Sequence, residues 1–238
     1  MIQRALADVA QGCYVDVGAS VPEGDSNTFA LYQKGWRGLC VEPLDYQTLW
    51  AQSRPQDIFI NAAVGSEAGR MTLHVYPQAQ QISTGSADTL AHWQRHQVQP
   101  GSTREVAVHT LSRLIDTHLA GRPIHLLSID VEGMERDVLL GLDLRRHRPW
   151  LMVIEAVKPG MPEASHQGWE PLVLDAGYGM AYFDGVNRFY LAHEQRHLLG
   201  RFALPPNVWD GIEFASQVAL QAQVKGLRAQ LAAAARPA

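Results

Sequence analysis

The chain has 238 residues, a formal net charge of −4, 46% apolar residues and 18% charged ones, which suits one α/β domain with a sizeable core and a short tail. No basic cluster accompanies that charge, which argues against nucleic acid as a partner and leaves sugars and small molecules open. Cys13 and Cys40 lie in apolar stretches and read as packed thiols rather than a disulfide framework.

No apolar run is long enough to span a membrane. The opening segment MIQRALADVAQG contains acid and lacks the long apolar stretch of a signal peptide, so a cytoplasmic location is expected.

The first informative stretch is CYVDVGASVPEGDS, Cys13 to Ser26. An apolar run carries an acid at Asp16 and breaks at Gly18, and small or kinked residues follow. A buried parallel strand, a tight glycine turn and a helix over Asn27–Lys34 are expected. Strand ends that open into helices are where open α/β sheets bind ligands. A carboxylate there does not suit a phosphate but does suit an amino group or a sulfonium cation. An ordinary βα turn is the plain alternative.

Leu39–Val41 reads as a second strand ending in Glu42-Pro43, and an acid at that place is the expected partner of ribose hydroxyls. A helix over Leu44–Ser53 and a third strand over Ile58–Ala62 follow; the small Ala62 and Ala63 leave room for a flat ring. Met71–Tyr76 alternates as a strand, Gln78–Thr89 reads as a loop, and a short helix runs near Thr89–Gln97. Val106–Val108 is a strand and Leu111–His118 a helix. Ile124–Ile129 is strongly apolar and ends in Asp130-Val131-Glu132-Gly133, before a helix over Glu135–Leu140. Leu151–Ile154 is a strand ending in Glu155, and His166–Ala176 an amphipathic helix. Met180–Phe183 and Arg188–Leu191 flank an Asp-Gly turn and form a hairpin. The fold class is therefore α/β, with a mostly parallel central sheet, an antiparallel edge hairpin and helices on both faces.

Residues 1–204 are expected to form the domain and 205–238 a helical tail. Within the tail Leu220, Val224, Leu227, Leu231 and Ala234 are spaced four-three-four-three, a short heptad seam. A single helix packed on the domain explains it equally well.

Four segments together, YVDVGAS, GWRGLCVEP, LSIDVEGMERDVLLG and FDGVNRFYL, resemble the FkbM-type methyltransferases over roughly Tyr14–Glu194. The resemblance implies a class I, Rossmann-like fold that uses S-adenosylmethionine and methylates a hydroxyl of a sugar or glycan, in surface polysaccharides or glycosylated metabolites. It also implies a link to glycosyltransferase domains, for which the tail would serve; a homo-oligomer is the other expectation for it. Under this reading Asp16 and the backbone of Gly18 and Ala19 hold the methionine end of the cofactor. Glu42 takes the ribose hydroxyls, Ala62 and Ala63 flank the adenine, and Ser26 and Pro43 are counted among the cofactor-binding residues. The family's glycine-rich turn is compact, whereas here Val21-Pro22-Glu23 intervenes before Gly24.

A sugar hydroxyl must lose its proton during methyl transfer, to a base or with help from a metal. Asp130 and Glu155, at adjacent strand ends, are candidate ligands for Mg²⁺ or Mn²⁺. Asp130 alternatively serves as base or caps the next helix. His166 is a candidate base or a surface residue. His92 and His96, four apart, share a helix face. A nicotinamide dehydrogenase is disfavoured because the first turn lacks GxGxxG. The remaining alternative is a non-catalytic binding or scaffold module in a polysaccharide-synthesis protein.

Overall fold

The first strand, CYVDV, is buried at every position rather than at alternate ones, as a parallel strand covered on both faces must be. In the computed structural model, which describes residues 1–24, 26–211 and 215–234, it sits near the centre of a seven-stranded sheet. The strands in chain order are β1 (Cys13–Val17), β2 (Arg37–Val41), β3 (Ile58–Ile60), β4 (Ala63–Val64), β5 (Gly69–Val75), β6 (Ser102–His109), β7 (Leu126–Ile129), β8 (Leu151–Glu155), β9 (Tyr178–Phe183) and β10 (Asn187–Ala192). The large sheet has the order β3-β2-β1-β7-β8-β10-β9. β3, β2, β1, β7 and β8 run parallel, and β10 is antiparallel to both of its neighbours.

Helices cover both faces. Val15, Val17, Leu39, Val41 and Ile129 pack against residues of the helices Leu111–Leu119, Glu135–Leu140 and Glu170–Asp175. On the other face Tyr14, Cys40 and Leu126 pack with Leu31 and Trp50, from the helices Phe29–Gln33 and Gln47–Ser53. Both cysteines are buried free thiols.

The strand order defines where a ligand can sit. The chain steps outward from β1 to β2 and β3, then returns to place β7 on the other side of β1. The crevice at such a reversal, above the carboxyl ends of the strands, is the usual ligand site of an open α/β sheet. Here Gly18 and Asp130 end the two strands that flank the reversal. Gly18 has φ +79°, and a Cβ on it would meet the Asp130 carbonyl oxygen at 1.7 Å. Only glycine permits both the turn and the approach.

Three expected elements differ. The strand predicted over Ile58–Ala62 stops at Ile60, because the Asn61 amide nitrogen donates to the carbonyls of Glu42 (3.0 Å) and Leu44 (2.6 Å). Ala63 then opens β4, which joins β6 and β5 in a separate three-stranded sheet that the sequence did not reveal. The loop expected over Gln78–Thr89 contains a 3₁₀ turn, Gln80–Ile82, and the next helix begins earlier, at Ala87, where Ser86 Oγ accepts the Thr89 N–H at 3.2 Å. The helix expected over His166–Ala176 divides into a 3₁₀ turn, His166–Gly168, and a helix from Glu170. Pro171, in the first turn of that helix, lacks an amide to donate and so fits a helix start.

The domain's contacts continue past Leu204: Arg4 pairs with Asp210 at 3.3 Å and donates to the Leu204 carbonyl at 2.6 Å. Beyond lies the helix Ala215–Ala234, on which Leu220, Val224 and Leu227 are exposed. The side chains of Leu231 and Ala234 lie outside the described residues. No helix among the described residues is long and apolar enough to cross a membrane.

Candidate functional site

A cavity of about 500 Å³ opens above the ends of β3, β2, β1 and β7. Of the residues expected to hold a cofactor, Gly18, Glu42, Pro43, Ala62 and Ala63 line it, and so does Asp130. Its wall also includes Ser20, Tyr46, Met71, Gln80, Gln81, Ser83, Glu132 and Met134. Most of these come from the loop after β5 and the turn after β7. Three carboxylates and no lysine, arginine or histidine are among the described lining residues.

Glu42 is held in place by the backbone around it. Its Oε2 accepts the Ser20 N–H at 3.0 Å and its Oε1 the Leu44 N–H at 2.8 Å. It is only 6% exposed. Burial pushes its carboxyl up to about 7, against the lowering effect of the two amide bonds. A neighbour that hydrogen-bonds its remaining lone pairs would favour the ionised form.

Asp16, Ala19 and Ser26 do not line the cavity. Side chains alternate along a strand, so Val17 toward the cavity puts Asp16 on the opposite face, with Tyr14. There Asp16 accepts the Thr28 hydroxyl at 2.6 Å, and burial raises its pKa. Ser26 Oγ accepts the Phe29 N–H at 3.1 Å and so opens the helix behind the turn. The amides of Gly18 and Ala19 are already used, both donating to the Val41 carbonyl, at 3.0 and 3.2 Å. Those two amides, expected to meet the methionine end of the cofactor, thus serve the join between β1 and β2 here.

Under these residues lies a buried ionic network. Arg54, 1% exposed, donates to Asp57 (2.8 Å), the Tyr14 hydroxyl (2.8 Å), Thr28 Oγ1 (3.0 Å), the Pro22 carbonyl (3.1 Å) and Ser26 Oγ (3.3 Å). Its guanidinium lies 4.4 Å from the Trp50 ring centre, and the Trp50 indole N–H donates to the Ser20 carbonyl at 2.9 Å. Pro22, Ser26 and Thr28 are thus tied from beneath by one arginine.

The acids after β7 form the second group. Asp130 and Glu155 are hydrogen-bonded side chain to side chain. Burial, then the nearby Asp130 charge, drives the Glu155 carboxyl upward, so Glu155 is the more readily protonated of the two. Glu135 accepts the amides of Val131 (3.3 Å) and Gly133 (3.1 Å) in the turn before the helix, and the helix opens at N-cap Met134 without a side-chain cap, so Asp130 does not cap it. Glu132 has φ +54°, and its carbonyl accepts the hydroxyls of Thr84 (2.8 Å) and Thr89 (3.0 Å). Its Oε2 is buried without a partner. Burial, then the charges of Asp130 and Glu135, lift its carboxyl to about 8. Sequence reading passed over Glu132; its signal was an acid beside Gly133 in the turn after the most apolar strand.

The metal expectation finds no third ligand, since no group of three or more His, Cys, Asp or Glu side chains that could hold an ion occurs among the described residues. With one of the two carboxyls protonated, Asp130 and Glu155 can sit side by side without repelling each other. His166 is not brought to them. Its Nε2 lies 3.7 Å from Glu170, in a cluster where Glu170 also accepts Arg188 and the Tyr190 hydroxyl, and it does not line the cavity. His92 and His96 face one another with ring centres 4.7 Å apart.

A mostly parallel open sheet with its crevice at the strand-order reversal places the chain among the doubly wound α/β folds. The FkbM methyltransferase domain model matches residues 16–180, and the chain belongs to that family. A crystal structure of methyltransferase FkbM from Methylobacillus flagellatus KT is similar, with 17% identity and a TM-score of 0.45 over 76% of this chain. The chain spans 44% of the length of that protein. No curated protein matches it.

Proposed function

We propose that the chain is an S-adenosylmethionine-dependent O-methyltransferase acting on a hydroxyl of a sugar or glycan. The observation that carries the cofactor half is the cavity across four strand ends, with Glu42 in its wall and no cationic lining residue among those described. Small residues suit it to that cofactor: Gly18 lets the ends of β1 and β7 lie close together at the floor of the cavity, and Ala62 and Ala63 leave room for a flat base. The carboxylates suit its sulfonium and ammonium charges. Glu42 would hold the ribose hydroxyls, with Pro43 beside it. The family resemblance is what supports a hydroxyl of a sugar as the acceptor.

When bound, the cofactor supplies an activated methyl group, so the protein mainly has to align the acceptor and remove its proton. Asp130 lines the cavity as the partner of protonated Glu155, and in that pairing it is the ionised member, placed to take a proton. Gln80, Gln81 and Ser83, also in the cavity wall, offer neutral donors and acceptors for hydroxyls. Glu42→Ala is expected to weaken S-adenosylmethionine binding by about 1–3 kcal/mol, the cost of leaving buried polar groups unpaired. Titration calorimetry on both proteins reads it directly, and equal affinities would remove Glu42 from the site.

The helical tail is proposed as a self-association or linking element, supported by the exposed Leu220, Val224 and Leu227 at heptad spacing. Deleting residues 216–238 should leave a folded domain of lower oligomeric state. Light scattering that gives the same number of chains per particle for both proteins would rule this out.

A further inference from the structure

One segment of the cavity wall is fastened at both ends and nearly free between them. It is Pro-Gln-Ala-Gln-Gln-Ile, residues 77–82, which follows β5 and Tyr76. Its two ends are joined to each other. His74 and Thr84 exchange amide-to-carbonyl bonds at 2.8 and 3.1 Å, and Ser83 Oγ accepts the Tyr76 N–H at 3.3 Å. This neck is also fixed to the domain. Thr84 Oγ1 donates to the Glu132 carbonyl at 2.8 Å, and the Gly101 amide to the Val75 carbonyl at 2.9 Å. Pro77 lies so close to Gly101 that a Cβ there would meet its Cδ at 2.8 Å.

Beyond the neck the segment bonds mainly to itself. The Ala79 amide donates to the Tyr76 carbonyl (2.9 Å), Ile82 to Ala79 (3.1 Å) and Ser83 to Gln80 (3.0 Å). Pro77, Gln78, Gln80 and Gln81 are exposed, and among the described residues neither Ala79 nor Ile82 joins a core cluster. One hydrogen bond among the described residues reaches from 77–82 past the neck: the Tyr46 hydroxyl donates to Gln80 Oε1. A segment with so little buried apolar surface opens before the fold around it does. Tyr46, by contrast, is a fixed post. Its ring packs with Leu44, Leu73 and Val75, and its carbonyl accepts the Trp50 amide at 2.9 Å. Burial, then the Glu42 charge, push its phenol up, so it stays a donor. Tyr46, Gln80 and Gln81 all line the cavity.

We propose that residues 77–82 are a flap on the cavity and that Tyr46 is its latch: the bond to Gln80 holds the flap shut, and ligand enters and leaves when that bond breaks. The inference rests on the cofactor reading above for the identity of the ligand; the flap itself belongs to the empty chain. A latch made with and without ligand sets how often the cavity opens, not how tightly the ligand is held. Breaking it speeds entry and exit together. A side chain that merely touched the ligand would act on exit alone.

Hydrogen exchange on the ligand-free full chain tests the flap. Tyr46→Phe keeps the packed ring and removes the donor. Amides of residues 78–83 should exchange about threefold to tenfold faster in the variant, as the loss of one hydrogen bond implies, with β5 unchanged. Stopped-flow fluorescence with S-adenosylmethionine tests the latch. Association and dissociation rates should both rise by that factor, and Kd should stay within about twofold. Gln80→Met breaks the same bond from the other side, so the double variant should go little further than either single one. Unchanged exchange at 78–83 would overturn the flap. A rise in the dissociation rate alone, or additive effects in the double variant, would overturn the latch. A wild-type chain that binds no S-adenosylmethionine, yet shows the faster exchange in Tyr46→Phe, would contradict the cofactor reading and support the flap.

Discussion

Replacing Arg54 by methionine should destabilise the fold by about 3–5 kcal/mol, the usual cost of breaking a buried ion pair on one side. The arginine is fully enclosed with Asp57, whose other hydrogen bonds come from the Gly38 amide (2.9 Å) and the Tyr14 hydroxyl. Removing the cation leaves Asp57 and, through Thr28, Asp16 buried without the positive charge that both feel. Methionine restores much of the volume but none of the donors to Pro22, Ser26 and Thr28. The loop from Ser20 to Thr28 should then loosen, and since Ser20 positions Glu42, cofactor affinity should fall in whatever fraction stays folded. Urea unfolding gives the first quantity and calorimetry the second. Arg54→Lys should rescue little, because a single ammonium cannot reproduce a planar fork that bonds several acceptors at once. Unfolding midpoints within experimental error of the wild type would show that the network does not hold the site.

Gly18→Ala should be comparably severe. The added Cβ would sit 1.7 Å from the Asp130 carbonyl oxygen, a backbone atom that cannot swing aside. At φ +79° the side chain also carries the left-handed penalty of about 1–2 kcal/mol. The clash is relieved only if the ends of β1 and β7 part, which disturbs the hydrogen bond from the Asp130 amide to the Val17 carbonyl, 3.0 Å in the native fold. A destabilisation of about 4 kcal/mol or more is expected, in the range reached only by strain or overpacking at special positions. Parting those strand ends opens the floor of the cavity, so S-adenosylmethionine binding should be lost at temperatures where the variant is still folded. Thermal unfolding followed by titration below the midpoint separates the two effects. A variant that melts and binds like the wild type would contradict the geometry of the reversal.

Much of this architecture was legible because buried parallel strands are short apolar runs that stop at turn residues. β1, β7 and β8 announce themselves in that way, as does the Asp-Gly hairpin between β9 and β10. The three-stranded sheet was not legible. Its strand β4 has two residues, and pairing between β4, β6 and β5 depends on distant partners that no local pattern carries. At the site, Glu42 could be read from its place after β2. The place of Asp16 follows from alternation, since a strand that sends Val17 to the cavity sends Asp16 to the other face. Arg54 lies in Ser53-Arg54-Pro55-Gln56, which reads as a solvated turn, and its burial arises from Tyr14, Trp50 and Asp57 closing around it. His166 reads as adjacent to Glu155, but the chain between them spends its length on a turn bridged by Val157 and Ala164, and the imidazole ends beside Glu170.

The central claim is that the reversal between β1 and β7 is the nucleoside and methyl-donor site. A crystal structure of the full chain grown with S-adenosylmethionine tests it most directly. The account predicts the ribose hydroxyls on Glu42, the adenine against Ala62 and Ala63, and the sulfur on the β7 side of Gly18. A cofactor bound elsewhere, or bound in this cavity with its ribose away from Glu42, would contradict it.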